Sequence, residues 1–479
     1  MSIERAELSD GRIAEYVMTP DPPGGAMTYT YFAPDRSYVV HFYRDAALQK
    51  DPGRRKRTEM LTGKFNPTLD PILGDYWRKL FWWPSGAVVK PKLGMVCPTC
   101  RPNFLFSDGP FKGKQKDAYL FVLEKPRRML TDKDRGTWLN YLQICILLAR
   151  AVRRLHQAGL AHADLSPHNI LIDPPSAGCM IFIDIDALVV PGICLPQVMG
   201  TPGYMAPELF QNLTMPINDP RRANPSSATD AHALAVLIYQ FLLQRNPLRG
   251  PKVHSQTSTE EDDRLAMGEK ALFIEDPNDT SNRPKDLKIS YEALGPHLSP
   301  LVRRAFVDGL HHPAFRPAAI EWERALCHTW DLKVDCSNPR CPAKGFIFNR
   351  ASPVCPFCGE RLSGTFPILK LRRQGQAGQG RMAREVVVQH NHQLFEWHAL
   401  DNKSPDEGAN RKRLAYCSFH QGQWLLVNEG LPTLTSPAGN RVPIGQALAL
   451  THGAVFRFSA DSHSYLAEVD LVNCNSAAP

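Results

Sequence analysis

The sequence has no long uninterrupted apolar run. Its most apolar helical stretch, WLNYLQICILLARAVRRL, is broken by Arg150, Arg153 and Arg154 and falls short of a membrane span. No early apolar segment follows the charged start MSIERAELSDGR, so a secretory signal is not expected. A regular cysteine framework is also missing. Of twelve cysteines only four show close metal-like spacing, which suits reduced thiols and one zinc site rather than a disulfide scaffold. There is no internal repeat, and Cys336–Cys358 lacks the clustered basic and aromatic residues of a nucleic-acid module. These absences lead to the expectation of a cytoplasmic protein that neither enters a membrane nor binds nucleic acid.

What is present is a chain of 479 residues, too long for one ordinary domain, with 43% hydrophobic and 22% charged residues. The net charge of +8 is compatible with acidic or phosphorylated partners without requiring them. Residues 1 to 125 read as short strands and loops. SYVVHFYRD (Ser37–Asp45) is β-rich, RRKRTEMLTGKF (Arg54–Phe65) reads as a helix, and YLFVLEKP (Tyr119–Pro126) reads as a strand. From about 132 the period changes: Trp138, Leu142, Cys145, Ala149 and Val152 recur at helical steps and Gly159 closes the pattern. A second helix is expected over Thr229–Gln244 and a third over Leu298–Leu310, whereas 251–290 read as loop. KLRRQGQAGQGR (Lys370–Arg381) reads as a basic linker, and the last hundred residues alternate as an all-β domain.

Between these elements lies an ordered series. GLAHADLSPHNILID holds His162, Asp164 and Asn169 in an H-x-D-x-x-x-x-N pattern, and Asp184 follows fifteen residues after Asn169 behind MIFI. Then come GTPGYMAPEL (Gly200–Leu209), Asp230 opening a helix, and HHPAFRP with Arg316. A lone H-x-D…N is weak, but the order raises it. The series resembles the C-terminal lobe of eukaryotic-type Ser/Thr protein kinases over about 130–330.

That resemblance implies ATP and Mg²⁺ as cofactors, Asp164 as the base for a substrate hydroxyl, and Asn169 with Asp184 holding the metal. It further implies a Glu208–Arg316 ion pair, Asp230 holding the loop backbone near His162, and Thr201 beside Asp164. DID stands for D-F-G, so Ile185 takes the phenylalanine's place. Asp186 is open to two readings, a third carboxylate that supplements the metal or stiffens the turn, or a plain surface acid. Two departures stand in the loop. Ala163 replaces the arginine that pairs with a phosphorylated activation segment, and Ser166 replaces the phosphate-touching lysine.

Upstream, PPGGAMTYTYF offers Gly24 and Gly25 as a nucleotide-covering turn, although it lacks a full G-x-G-x-x-G, and a plain hairpin fits equally. YVVHFYR resembles the V-A-I-K strand with His41 at the ATP-anchoring lysine, and histidine is shorter and mostly neutral at pH 7. Glu59 is the candidate partner, or else a solvated acid. A natural loss, an altered sequence, or a lysine supplied by Lys90 or Lys92 are equally open accounts of His41.

Cys336-x4-Cys341 and Cys355-x2-Cys358 have the spacing of a four-cysteine zinc ribbon, a structural Zn²⁺ site with no open position, the alternative being four free thiols. Cys97 and Cys100 have no second pair and are left out of the metal set. Trp424–Phe458 resembles the second half of a forkhead-associated β-sandwich, without a convincingly placed phosphothreonine-binding arginine and serine. A generic docking sandwich is the competing reading.

Together with FWWP (Phe81–Pro84), this combination resembles the kinase of the bacterial tellurite-resistance-associated phosphorylation triad. The family implies a von Willebrand A-type protein and a PPM-type phosphatase as partners, beside protein substrates. The expected fold is α+β: a bilobal kinase-like fold (N-lobe 1–125, C-lobe 126–332), a zinc ribbon (333–365), a linker (366–382) and a β-sandwich (383–479). The leading function is a Ser/Thr protein kinase. Its rival is a pseudokinase scaffold that lost phosphate anchoring at His41.

Overall fold

A computed structural model describes residues 2–24, 28–176, 178–190, 200–216, 219–373 and 381–475. The chain divides into two compact units. One comprises Met1–Gly136, Gln143–Lys288 and Leu301–Glu323, and the other Thr137–Leu142, Ile289–Pro300 and Arg324–Pro479.

The first unit opens with a six-stranded sheet of order β2-β1-β5-β6-β4-β3. Its strands are β1 (Ile3–Leu8), β2 (Ile13–Val17), β3 (Thr28–Phe32), β4 (Tyr38–Tyr43), β5 (Gly86–Lys90) and β6 (Gly94–Pro98). Strand alternation sorts the faces of β4. Val40 and Phe42 join Tyr16 and Val88 in one core cluster, which leaves Val39, His41 and Tyr43 on the opposite face. The hairpin β1–β2 extends the edge beyond β5, so only β3 lies outside the His41 strand, at the other edge.

Helices α1 (Ala46–Lys50), α2 (Pro52–Thr62) and α3 (Gly74–Leu80) lie between β4 and β5. Asp51 caps α2, accepting from Gly53 N at 2.8 Å, and Pro52 at the first position is pre-set for the helix. Its buried face is Arg54, Arg57, Thr58 and Leu61, spaced i, i+3, i+4, i+7.

Tyr119–Pro126 forms no strand. α4 (Tyr119–Val122) and α5 (Glu124–Arg128) stand there; Asp117 accepts from Tyr119 N (2.8 Å) at the entry, and Phe121 and Val122 are buried. After α6 (Asp132–Arg135) comes α7 (Trp138–Gln157), with all five periodic residues of the sequence pattern buried. Arg150 and Arg153, which interrupt its apolar run, are themselves buried and both bind Glu323, at 2.7 and 2.6 Å.

The strands β7 (Ala161–His162), β8 (Ile170–Asp173), β9 (Cys179–Phe182) and β10 (Leu188–Val189) frame the cleft. Helix α8 (Ser227–Leu243) is buried on all sides from Thr229 onward, so its apolar face extends right round a core helix. Within the stretch expected as loop, α9 (Thr259–Met267) forms behind the Ser258 cap (3.1 Å to Glu261 N). α10 (Ser299–Arg303) and α11 (Ala319–Asp331) complete the helices of this part of the chain. No described helix is long and apolar enough to cross a membrane.

The second unit carries the hairpin β11 (Lys333–Asp335) with β12 (Gly345–Ile347) and two four-stranded antiparallel sheets. One sheet is β14-β13-β20-β19 and the other β15-β16-β17-β18. Their strands are β13 (Thr365–Arg372), β14 (Met382–Val387), β15 (His392–Leu394), β16 (Ala415–His420), β17 (Gln423–Asn428), β18 (Ala447–Ala449), β19 (Val455–Arg457) and β20 (Leu466–Asn473). A single core including Leu369, Val386, Cys417, Leu426 and Val469 joins the sheets, and α12 (Glu396–Ala399) follows β15. The linker expected over 366–382 begins inside this sandwich. Leu369 and Leu371 are fully buried on β13, so Lys370 and Arg372 belong to a strand paired on both sides. Its Gly/Gln part, 374–380, lies outside the described residues.

Candidate active site

The antiparallel hairpin β8–β9 pairs Ile170 with Phe182 and Asp173 with Cys179. Asn169 therefore precedes one strand and Asp184 follows the other at the same end, which is closed by Ile183 N donating to Asn169 O at 3.0 Å. Asn169 Nδ2 donates to Asp164 O (2.8 Å) and to Asp164 Oδ2 (3.1 Å), and Thr201 Oγ1 donates to Asp164 Oδ1 (2.6 Å). Both carboxylate oxygens of Asp164 are thus held. His162 N donates to Asp230 Oδ2 (2.8 Å), and Arg316 grips Glu208 with two nitrogens at 2.7 and 2.8 Å. Ser166 is fully buried, and its hydroxyl finds no partner among the described residues, so it does not present itself to the cleft.

Asp184 sits in left-handed backbone (φ 56°, ψ 50°), and Ile185 after it is buried. The surrounding protein pushes the Asp184 carboxyl up to about 6, although the side chain still reaches solvent; Asp186 and Asp164 add to the rise and Arg57 opposes it. Asp186 is no surface acid. Tyr43 Oη donates to its Oδ1 (2.8 Å), Arg54 Nη1 binds its Oδ2 (3.1 Å), and Arg57 Nη2 binds Oδ1 (2.5 Å) and the backbone carbonyl. The two arginine side chains are 7% and 5% exposed, so this cluster stiffens the turn. Its oxygens are occupied by cations of the protein itself.

These arginines were missed in the sequence. The signal was there: RRKR behind a D-P cap puts Arg54 and Arg57 one turn apart on one face. The same period turns Glu59 away. It pairs with Arg55 at 3.0 Å on the outer face and meets neither His41 nor Asp186, which corrects the expected lysine-partner role.

His41 Nδ1 bonds Thr30 Oγ1 at 2.9 Å, and burial lowers its pKa despite the opposing charge of Asp186. A neutral imidazole tied to a threonine is no fixed cation for a phosphate. Nor do the other lysines replace it. Lys90 binds Glu7 (2.8 Å), and Lys92 lines a separate surface cavity. Gly24 serves its own turn. A Cβ there would lie 2.2 Å from Thr28 O, so the glycine meets close backbone rather than an open cradle. Gly25 lies outside the described residues.

The donor types nonetheless suit a divalent cation: Asn169 is bonded to Asp164, Asp184 follows at the same end of the hairpin, and Asp184 has no direct cationic partner among the described residues. Residues 115–299 match the family model of the protein kinase domain. The chain carries a protein kinase-like domain.

Among curated proteins it is similar to serine/threonine-protein kinase ppk34 of Schizosaccharomyces pombe, 30% identical over 241 residues, covering 48% of this chain and 66% of that one. It is also similar to serine/threonine-protein kinase PknD of Chlamydia abortus, 29% identical over 156 residues, covering 27% of this chain and 15% of that one. The chain thus spans less than two thirds of the length of either relative. A solved rhoptry antigen kinase domain of Toxoplasma gondii aligns at 15% identity with a TM-score of 0.41, over 68% of this chain and 85% of that one.

In the second unit, the Sγ atoms of Cys336, Cys341, Cys355 and Cys358 lie within 4.8 Å of one another. Cys336–Cys358 is 3.5 Å and Cys341–Cys355 3.8 Å. Sulfurs about 2.3 Å from a tetrahedral zinc stand roughly 3.8 Å apart, so the four could hold zinc.

Proposed function

We propose that the chain transfers the γ-phosphoryl group of ATP to serine or threonine hydroxyls of protein substrates. The observation that carries this reading is the held carboxylate of Asp164, oriented by Thr201 and Asn169 beside Asp184. Asp164 accepts the proton of the acceptor hydroxyl, and the Thr201 contact fixes the direction of the free lone pairs. Asn169 and Asp184 would hold Mg²⁺, which, when bound with ATP, supplies charge neutralisation at the transferred phosphoryl group. Asp230 and the Glu208–Arg316 pair fix the loop and the segment that position Asp164. The four cysteines hold structural Zn²⁺, and the sandwich serves docking. Assignment to a cytoplasmic, tellurite-resistance-type system with a von Willebrand A-type protein and a PPM-type phosphatase rests on the family resemblance alone.

His41 favours a second reading, a scaffold that keeps the fold without phosphotransfer. Autophosphorylation with radiolabelled ATP separates the two. The first reading expects labelling by the parent chain and a loss of about 100-fold or more in Asp164→Ala. No labelling by the parent, with labelling gained in His41→Lys, would establish the scaffold instead.

A further inference from the structure

A cavity of about 380 Å³ lies beside α1 and α2, between the end of β4 and the β5–β6 turn. Four of its lining residues are cations, Arg44, Lys50, Arg55 and Lys92, and none is acidic. The side-chain amines of Lys50 and Lys92 make no hydrogen bond or ion pair among the described residues. Arg44 is spread over the Tyr29 ring (4.3 Å) with Nε on Thr28 O (3.1 Å), so its guanidinium is engaged on the β3 side. Arg55 alone has a carboxylate, Glu59, in an exposed pair of little strength. Asp45 and Asp51 turn away to cap Ala47 N (2.7 Å) and Gly53 N (2.8 Å).

The floor is built rather than incidental. Gln49 donates to Tyr43 O (2.7 Å) and Leu93 O (3.3 Å) and accepts from Leu93 N (2.5 Å). Tyr43, on the same floor, passes its hydroxyl to Asp186 at 2.8 Å and lies under Arg54 (5.2 Å). Apolar walls from Ala46, Val89, Pro91 and Leu93 complete the space, which has room for a modified side chain and part of its neighbours.

We propose that this cavity binds the phosphorylated side chain of a protein segment, and that its occupancy is felt at Asp186 through Tyr43. The unspent donors of Lys50 and Lys92, beside Arg55, match a phosphoryl dianion, and the apolar walls match the stem and neighbours of a peptide-borne phosphate better than a free ion. The coupling half rests on the phosphotransfer reading of the cleft; the binding half does not, so it is read by binding without nucleotide.

The probe is a fluorescent peptide pool with randomised flanks centred on phosphoserine, beside the same pool unphosphorylated, titrated against the full chain. The phosphorylated pool binds at least about tenfold more tightly than its twin and weakens as salt rises. Lys50→Glu/Lys92→Glu loses about tenfold or more with an unchanged melting temperature, whereas Asp164→Ala binds as the parent does. Hydrogen exchange around 184–190 slows on binding, and Tyr43→Phe removes that protection while retaining the peptide. Equal binding of the two pools, or by the double variant, overturns the site. Inorganic phosphate displacing the peptide at the peptide's own affinity overturns the protein-segment assignment, and unchanged exchange overturns the coupling.

Discussion

Asp186 shows how one side chain can redirect a motif. A glycine at this position would leave the turn after Asp184 free, whereas a buried carboxylate demands partners. Arg54, Arg57 and Tyr43 supply them, from 132, 129 and 143 positions away in sequence. Arg57→Ala removes the cation that contacts both the side chain and the carbonyl of Asp186, and is expected to cost about 3 kcal/mol. Arg57→Ala/Asp186→Ala should cost less than the two single losses added together, because the second change removes the anion that the first strands. Urea unfolding of the four proteins measures this, and strict additivity would mean that the contact carries no coupling. Asp164, Asn169 and Asp184 were legible because the ordered pattern that carries them stands in one local stretch. Arg57 was not legible in that way, since its importance depends on a partner brought near only by folding. Glu59 was misplaced by spacing alone, and a helical wheel anchored on Asp51-Pro52 would have turned it outward.

Among the elements, those with strong periodicity were readable and those set by tertiary pairing were not. The buried residues of α7 and α8 declare themselves, since one full apolar stripe or an apolar surround leaves few alternatives. Tyr119–Val122 is too short to show a period, and it forms a helix against its aromatic content, with Asp117 accepting from Tyr119 N at its entry. Lys370–Arg372 reads as linker by charge, yet its leucines alternate with its cations as a strand requires. The cysteine hairpin brings together four sulfurs whose proximity the spacing does predict. Cys341 and Cys355 are fully buried, and without a metal four thiols would crowd there with no shared counter-charge. Purified protein is expected to carry one zinc per chain by elemental analysis. Cys341→Ser should lose it and lower the unfolding temperature; full stability of the variant without zinc would return these residues to free thiols.

Across the molecule, the second unit holds a titratable cluster at its centre that no motif announced. Asp331 accepts from His398 Nε2 (3.2 Å) and binds Arg384 (3.1 Å), and the tilted rings of His297 and His328 lie 5.2 Å apart beside them. Against the burial that would raise it, Arg384 and His398 hold Asp331 at about 2. Burial drives the histidines the other way. His328 falls to about 4 and His392 to about 3, with Arg384 and Lys333 respectively adding to the fall, while His297 and His398 are also lowered. The sign follows from linkage. The unfolded chain takes up protons on these histidines from about pH 6.5 downward and the folded unit refuses them, so stability is whole above that value and drains as pH falls toward 4. Asp331 adds its own loss only below about pH 4, so it does not account for the earlier decline. Each pKa unit of displacement corresponds to about 1.4 kcal/mol. Calorimetric melts of the full chain from pH 7.5 to 4.5 should therefore show a falling transition. His328→Gln/His392→Gln, whose amides stay neutral throughout, should flatten that slope whatever it does to stability at pH 7.5. An unchanged slope in the variant would place the acid sensitivity elsewhere, with the thiolates of the cysteine hairpin the next group to test by adding excess zinc.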